Sequence, residues 1–236
     1  MTTTKTKTIR TVAFGAATAM AFGASAQAAT LFTAEIEESQ STTPGDAMGV
    51  FAGASLTLNQ TEDGGYDLAM SITFTDGIDW SGVVDSGQID VSGEDVTDGG
   101  VDATRFHIHN APRGEAGGVV FGIFDLVAPE AVADVNGDTL LQFNDDGSAV
   151  LSTVWNGEEG TGDAMLMDFV TEFLAAGENE DIAFYFNFHT TDAPAGLIRG
   201  QIVGQNAAAV PIPGAALLFV PALAGGALMR RRRRAS

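Results

Sequence analysis

The chain contains no cysteine among its 236 residues. This absence excludes disulfide bonds, thiolate nucleophiles and thiolate metal ligands. A domain of this size buries enough apolar surface to fold without covalent cross-links. The fold must therefore be held by packing and hydrogen bonds alone.

Basic residues are also scarce in the body of the chain. Of the 11 Lys and Arg, only Arg105, Arg113 and Arg199 lie outside the terminal segments, whereas all 31 Asp and Glu lie between those segments. Such a negative field repels nucleic acid, anionic lipid and acidic polysaccharide. We therefore expect no nucleic-acid partner, and cations such as Ca²⁺ or Mg²⁺ as counterions at the surface.

The motifs of several enzyme classes are missing as well. The sequence has no Gly-x-Ser-x-Gly elbow, no phosphate-binding P-loop and no dinucleotide fingerprint after a strand. Carboxylates are so numerous that two of them will lie close together by chance, so they do not indicate a glycosidase. These observations favour a protein that is not an enzyme.

Residues 1–28 have the layout of a secretory signal peptide. Basic residues open the segment, an apolar stretch follows from Val12 to about Ala24, and Ala26 and Ala28 lie where signal peptidase reads small residues. The apolar stretch is shorter than the roughly 20 residues that a membrane-spanning helix needs. We predict that signal peptidase cleaves after Ala28 and that the protein is exported.

Residues 206–236 combine three elements in order: a proline motif, an uncharged apolar stretch that ends at Met229, and an arginine cluster. About 20 apolar residues are enough to cross a bilayer, and the arginines would keep the far end in the cytoplasm. We therefore predict a transmembrane helix here. The motif residues are Val210, Pro211, Ile212, Pro213, Gly214 and Ala215, and the stop-transfer residues are Arg230, Arg231, Arg232, Arg233 and Arg234.

This C-terminal segment resembles the VPLPA-CTERM signal, a variant of the PEP-CTERM sorting signals, with Ile212 and Gly214 in place of the usual Leu and Ala. The resemblance implies a Gram-negative host in which an exosortase-type enzyme transfers the protein from a transient inner-membrane anchor to the outer surface. It also implies an association with extracellular polysaccharide or biofilm. The alternative is a plain membrane anchor that is not cut.

Residues 29–205 are predicted to form one all-β domain. Short alternating or densely apolar runs, such as 66–74 and 182–189, are separated by Asp-Gly and Gly-Gly turn signals. Many short strands at even spacing favour an antiparallel, Greek-key-like β-sandwich. The segment 164–176 has helical spacing instead and predicts one short amphipathic helix that covers an end of the sandwich.

An acidic segment that begins at Asp134 suggests a comparison with calcium loops. An EF-hand needs Glu at the twelfth position between two helices, whereas the twelfth residue here is Asp145 and the surroundings have the pattern of strands. We interpret these acids as turn residues, with weak calcium binding as a minor alternative.

All three histidines and all three arginines of this domain lie in the segments 105–114 and 185–202. A His-x-His stretch followed by Gly, an Asn-x-His-Thr strand, and Pro-x-Gly-x-Ile-Arg-Gly-Gln make these segments resemble the CHRD domain. Leu197 replaces the usual Glu of the last motif. The resemblance extends over most of residues 30–205 and implies a β-sandwich that serves binding or structure.

Strand geometry predicts where these histidines lie. Side chains alternate between the two faces of a strand, so Phe106 and Ile108 belong to the core face whereas His107 and His109 lie on the opposite face. The same alternation places His189 away from its neighbouring phenylalanines. If the two strands are adjacent, the three imidazoles converge on one outer surface.

Two interpretations of this cluster stay open. Three imidazoles suit a copper or zinc ion, with redox activity as a further prospect. Residues 106–109 are similar to the copper-binding strand of copper/zinc superoxide dismutase, but the full ligand set of that enzyme is missing and dismutase activity is not expected. The other interpretation is a polar network that holds the loop 111–117 over the sheet. The partners of the histidines in that network would be Arg105, Asn187, Thr190 and Arg199.

Taken together, these features predict an exported, surface-sorted, non-catalytic module of the envelope or of the biofilm matrix. Its membrane contact would be confined to the C-terminal helix before processing. A copper- or zinc-binding β-sandwich is the alternative function.

Overall fold

The computed structural model describes residues 29–42, 47, 49–85, 90–91, 101–134 and 137–205. The predicted signal peptide and the predicted C-terminal sorting segment lie outside these residues. Among the residues that the structure describes, no helix has the length and apolar character that crossing a bilayer requires.

The domain is mostly β, as the sequence predicts, and its strands are joined into a single sheet. The strands are β1 (Thr30–Ile36), β2 (Ala52–Gln60), β3 (Tyr66–Phe74), β4 (Ile78–Asp79), β5 (Asp90–Val91), β6 (Val101–Asn110), β7 (Gly118–Asp125), β8 (Leu140–Phe143), β9 (Ala149–Asn156), β10 (Asp181–Thr190) and β11 (Ile198–Gln205).

The order of strands along the sheet is β4-β6-β10-β11-β1-β2-β3-β9-β8-β5, and β7 also pairs with β6. The two short pairings β4–β6 and β5–β8 are parallel, and the long strands pair antiparallel. The predicted sandwich is thus formed by one continuous sheet. The sheet curls so that its apolar side chains lie on the inside. Strands far apart in sequence, such as β6 and β10, become neighbours in this way.

Aromatic rings from β6 and β10 fill the centre of the core. Phe106, Phe186 and Phe188 are fully buried. The Phe106 ring stacks on Phe186 with centroids 5.4 Å apart, and Phe74 from β3 approaches Phe188 at 5.3 Å. The structure therefore confirms that the phenylalanines of β6 and β10 point into the core.

The expected covering helix is α2 (Leu166–Ala175), after a shorter helix α1 (Ser81–Asp85). The buried face of α2 places Phe173 on Phe184 of β10, with the ring centroids 4.9 Å apart. The sequence analysis missed α1 because five residues are too few for a helical period to emerge.

Replacement of Phe106 by Ala should lower the free energy of unfolding by about 3–5 kcal/mol, because the change removes a buried ring and leaves a cavity. Urea unfolding of the purified protein measures this loss. The control is Phe51→Ala, because Phe51 is 56% exposed and its replacement should cost less than about 1 kcal/mol. Equal losses in the two variants would contradict the described core.

Candidate functional site

The pairing of β6 with β10 brings the three histidines together. In this register His107 lies opposite Asn187, and Arg105 lies opposite His189. The ring centroid of His107 is 5.3 Å from that of His189 and 5.7 Å from that of His109. One candidate ligand atom from each histidine lies within 4.8 Å of the other two.

These histidines are buried, although the sequence analysis expected them on an outer surface. The exposed fractions are 4% for His107, 9% for His109 and 6% for His189. Two segments cover this face of the sheet, the first covering loop (111–117) and the second covering loop (191–197). Alternation predicts the face on which a side chain lies, but it does not predict what lies over that face.

Side chains of the sheet hold the first covering loop through its backbone carbonyl groups. The bonds run from Arg199 Nη1 to Glu115 O (2.7 Å), from Arg199 Nη2 to Pro112 O (3.1 Å), from Gln201 Nε2 to Ala111 O (3.1 Å) and from His109 Nδ1 to Gly117 O (3.0 Å). Arg199 therefore finds its partners in the loop backbone, although the family's usual Glu is replaced by Leu197.

The second covering loop is held in the same way by residues of β6 and β10. The bonds run from Arg105 Nη2 to Pro194 O (2.6 Å), from His189 Nδ1 to Pro194 O (3.0 Å), from Asn187 Nδ2 to Ala195 O (3.3 Å) and from Ala193 N to Thr190 Oγ1 (3.1 Å). Gly196 has φ +122°, and a Cβ there would collide with the Asn187 amide. Each of the four expected network partners thus contacts a covering loop.

His107 has a partner that the sequence analysis missed. Its Nε2 lies 2.9 Å from Oδ2 of Asp125, which is buried at the end of β7. The other carboxylate oxygen of Asp125 accepts the N–H groups of Val127 and Ala128 at 2.9 and 2.7 Å. Asp125 is one of 31 acids, so composition alone could not single it out.

Tyr185 is the second residue that the sequence analysis missed. The Arg199 guanidinium carbon lies 3.4 Å from the centroid of its ring, and the His109 ring stacks on it at 5.0 Å. The Tyr185 hydroxyl accepts the N–H of Gly117 at 3.2 Å. Tyr185 thus connects a cation, an imidazole and the first covering loop. Its position two residues from Asn187, on the same face of β10, was the available signal.

A family model matches the segment of the chain that contains these strands and histidines. The model of the CHRD domain matches residues 32–202, which is well over half of the chain. This chain belongs to the CHRD family. No curated protein and no solved structure matches it. The whole histidine cluster lies inside the matched CHRD segment. The CHRD family is not known as a family of enzymes.

The hydrogen bonds of the CHRD domain determine where its imidazoles carry their protons. In each ring one nitrogen faces a carbonyl or carboxylate oxygen, and such oxygens only accept hydrogen bonds. That nitrogen therefore carries the hydrogen, and the other nitrogen of the neutral ring has a lone pair. Nε2 of His109 and Nε2 of His189 are buried and bond to no atom of the protein.

Burial also keeps these imidazoles neutral. It lowers the pKa of His107 from 6.5 to about 4, against the opposing charge of Asp125. Burial likewise lowers the pKa of His189 to about 4, against its bond to Pro194, and it lowers the pKa of His109. A metal ion binds imidazole in its neutral form, so no proton must leave at pH 7.

The acidic loop of the CHRD domain has a different role. The Asp134 carboxylate accepts the N–H groups of Gly137 at 2.8 Å and of Thr139 at 3.0 Å. Asp134 thus closes a turn with its own backbone, as the sequence analysis expected of these acids.

The pKa values of the histidines predict how the stability of the metal-free CHRD domain depends on pH. Below pH 6.5 the histidines of the unfolded chain become protonated, whereas those of the folded domain stay neutral until the pH reaches about 4. The free energy of unfolding therefore decreases as the pH falls from 6.5 to about 4, and above pH 6.5 the histidines cause no such loss. Each histidine contributes at most about 1.4 kcal/mol per pH unit. Urea unfolding with EDTA across this range measures the slope.

The matched variant for this measurement is His189→Gln, which removes one titrating ring and leaves every acid in place. Its free energy of unfolding should fall less steeply between pH 6.5 and 4 than that of the wild type. Parallel slopes would show that the buried imidazoles do not govern this loss.

Proposed function

We propose that this CHRD domain binds one copper or zinc ion through His107, His109 and His189. The observation that carries the proposal is the cluster itself: three neutral imidazoles lie together, and one nitrogen of each ring bonds to a carbonyl or carboxylate oxygen. Metal-bound histidines in proteins have such a second bond, which fixes the tautomer and orients the ring.

The dimensions of the cluster suit such an ion. Tetrahedral zinc with bonds of about 2.0–2.1 Å holds its ligand atoms about 3.3 Å apart. The candidate ligand atoms already lie within 4.8 Å of one another. To hold zinc, these atoms would have to approach one another by up to about 1.5 Å.

The two nitrogens without partners favour an ion over a purely structural network. A buried polar atom that bonds to nothing costs roughly 1–3 kcal/mol. Nε2 of His109 and Nε2 of His189 are both in this state. A metal ion would give each of them a partner, whereas the hydrogen bonds to the covering loops use only the opposite side of each ring.

Metal analysis tests the proposal directly. Protein stripped with EDTA, incubated with copper or zinc and freed of excess ion should retain about one equivalent. His107→Gln and His189→Gln should each retain much less, while Arg113→Gln, whose exposed guanidinium bonds to Asp181, should match the wild type. Histidine variants that lose stability without any bound metal in the wild type would establish a structural network and refute the metal site.

We further propose that the module is exported and acts without catalysis in the envelope or biofilm matrix of a Gram-negative bacterium. The N-terminal segment with small residues at Ala26 and Ala28, the motif at 210–215 and the acidic domain between them support this proposal. Signal peptidase and an exosortase-type enzyme would be its processing partners. Extracellular polysaccharide would be its neighbour at the surface.

Mass spectrometry of the protein from the surface of a Gram-negative host that has an exosortase tests this route. The mature chain should begin at Ala29 and should lack the arginines 230–234. A double change of Pro211 and Pro213 to Ala should leave the uncut protein in the inner membrane, whereas Pro221→Ala, within the same apolar stretch, should be processed normally. Surface protein that retains the arginines would exclude sorting by cleavage.

A further inference from the structure

We infer that the ion held by this site is monovalent copper, Cu(I), in preference to zinc. The inference rests on the proposed metal site and adds the identity and charge of its ion. Two independent features carry it: the number of ligands that the cluster offers, and the positive charges that surround it.

The first feature is the number of ligands. Among the described residues, the cluster contains His107, His109 and His189 but no fourth histidine or acid within the same reach. Asp125 stands behind His107, with its oxygens bonded to that ring and to backbone N–H groups. Three imidazoles therefore make up the whole set of protein ligands.

Three buried ligands suit Cu(I) better than zinc. Structural zinc sites have four protein ligands, and zinc sites with three keep a water molecule in the fourth position. Here the covering loops leave each histidine less than a tenth exposed, which restricts the room for such a water. Cu(I) has a filled d shell and is stable with three ligands in a plane, so it needs no fourth ligand.

The second feature is the positive charge beside the cluster. Arg105 and His189 donate to the same carbonyl oxygen of Pro194, at 2.6 and 3.0 Å, so the guanidinium lies next to that imidazole. The Arg199 guanidinium lies over the ring of Tyr185, and the ring of His109 stacks on the same tyrosine. Within the described part of the chain, neither guanidinium forms an ion pair.

The positive charges of these two arginines repel a divalent ion more strongly than a monovalent one. Coulomb repulsion from a guanidinium is twice as large for Zn²⁺ or Cu²⁺ as for Cu⁺ at the same place. Among the residues that the structure describes, Asp125 is the one carboxylate bonded to the cluster, and its single negative charge is smaller than the combined charge of the two guanidiniums. The three neutral imidazoles add no charge of their own. These two arginines therefore disfavour a divalent ion relative to Cu⁺.

Competition titrations of the metal-free, full-length protein test the inference. Cu(I) is added without oxygen against bicinchoninate, and Zn²⁺ is added against a chromophoric zinc chelator. We expect Cu(I) to bind more tightly than zinc by about tenfold or more, because each guanidinium repels it half as strongly. Zinc affinity equal to or above that of Cu(I) overturns this inference and leaves the metal site standing, whereas binding of neither ion overturns both.

Two variants of Arg105 test the role of charge. Arg105→Gln removes the positive charge and should shift the ratio of the two dissociation constants toward zinc by about fivefold or more. Arg105→Lys keeps the charge and should leave that ratio unchanged. If Arg105 has only a structural role, the Gln variant should lose affinity for both ions by the same factor. An unchanged ratio of the two dissociation constants in that variant would therefore overturn the charge argument.

Discussion

The antiparallel pairing of β6 with β10 is the constraint on which both the core and the histidine cluster depend. Its register places Phe106 opposite Phe188 on one face and His107 opposite Asn187 on the other. A slip by one residue would exchange the faces and turn imidazoles toward the phenylalanines. The packing of the aromatic rings therefore also determines the geometry of the cluster.

The face opposite the core is closed by polar groups in place of apolar packing. Guanidinium, amide and imidazole groups of the sheet bind the carbonyl oxygens of the two covering loops, and the Nε2 atoms of His109 and His189 are left without partners beneath them. Such a layer stabilises the loops and shields the imidazoles from water. The burial that keeps His107 and His189 neutral is thus a product of the loops, and the loops are held partly by those same rings.

Much of this arrangement could be predicted from the sequence, because it follows from local rules. Alternation along residues 105–109 identified the face of each side chain, and helical spacing identified α2. The sequence could not reveal that loops cover the histidines, because burial depends on how distant segments fold back. Asp125 was missed for a related reason, because only the pairing of β7 with β6 distinguishes it from the other acids. Alternation along β10, in contrast, was enough to place Tyr185 on the histidine face.

The carbonyl oxygen of Pro194 receives hydrogen bonds from Arg105 and His189 at once. The second covering loop cannot lift away without breaking both bonds, and it packs so closely at Gly196 that a Cβ there would collide with the Asn187 amide. An ion that leaves past this loop would need both bonds to open. Its residence time would then be governed by the rate at which the loop opens, so even an ion of moderate affinity would exchange slowly with its surroundings.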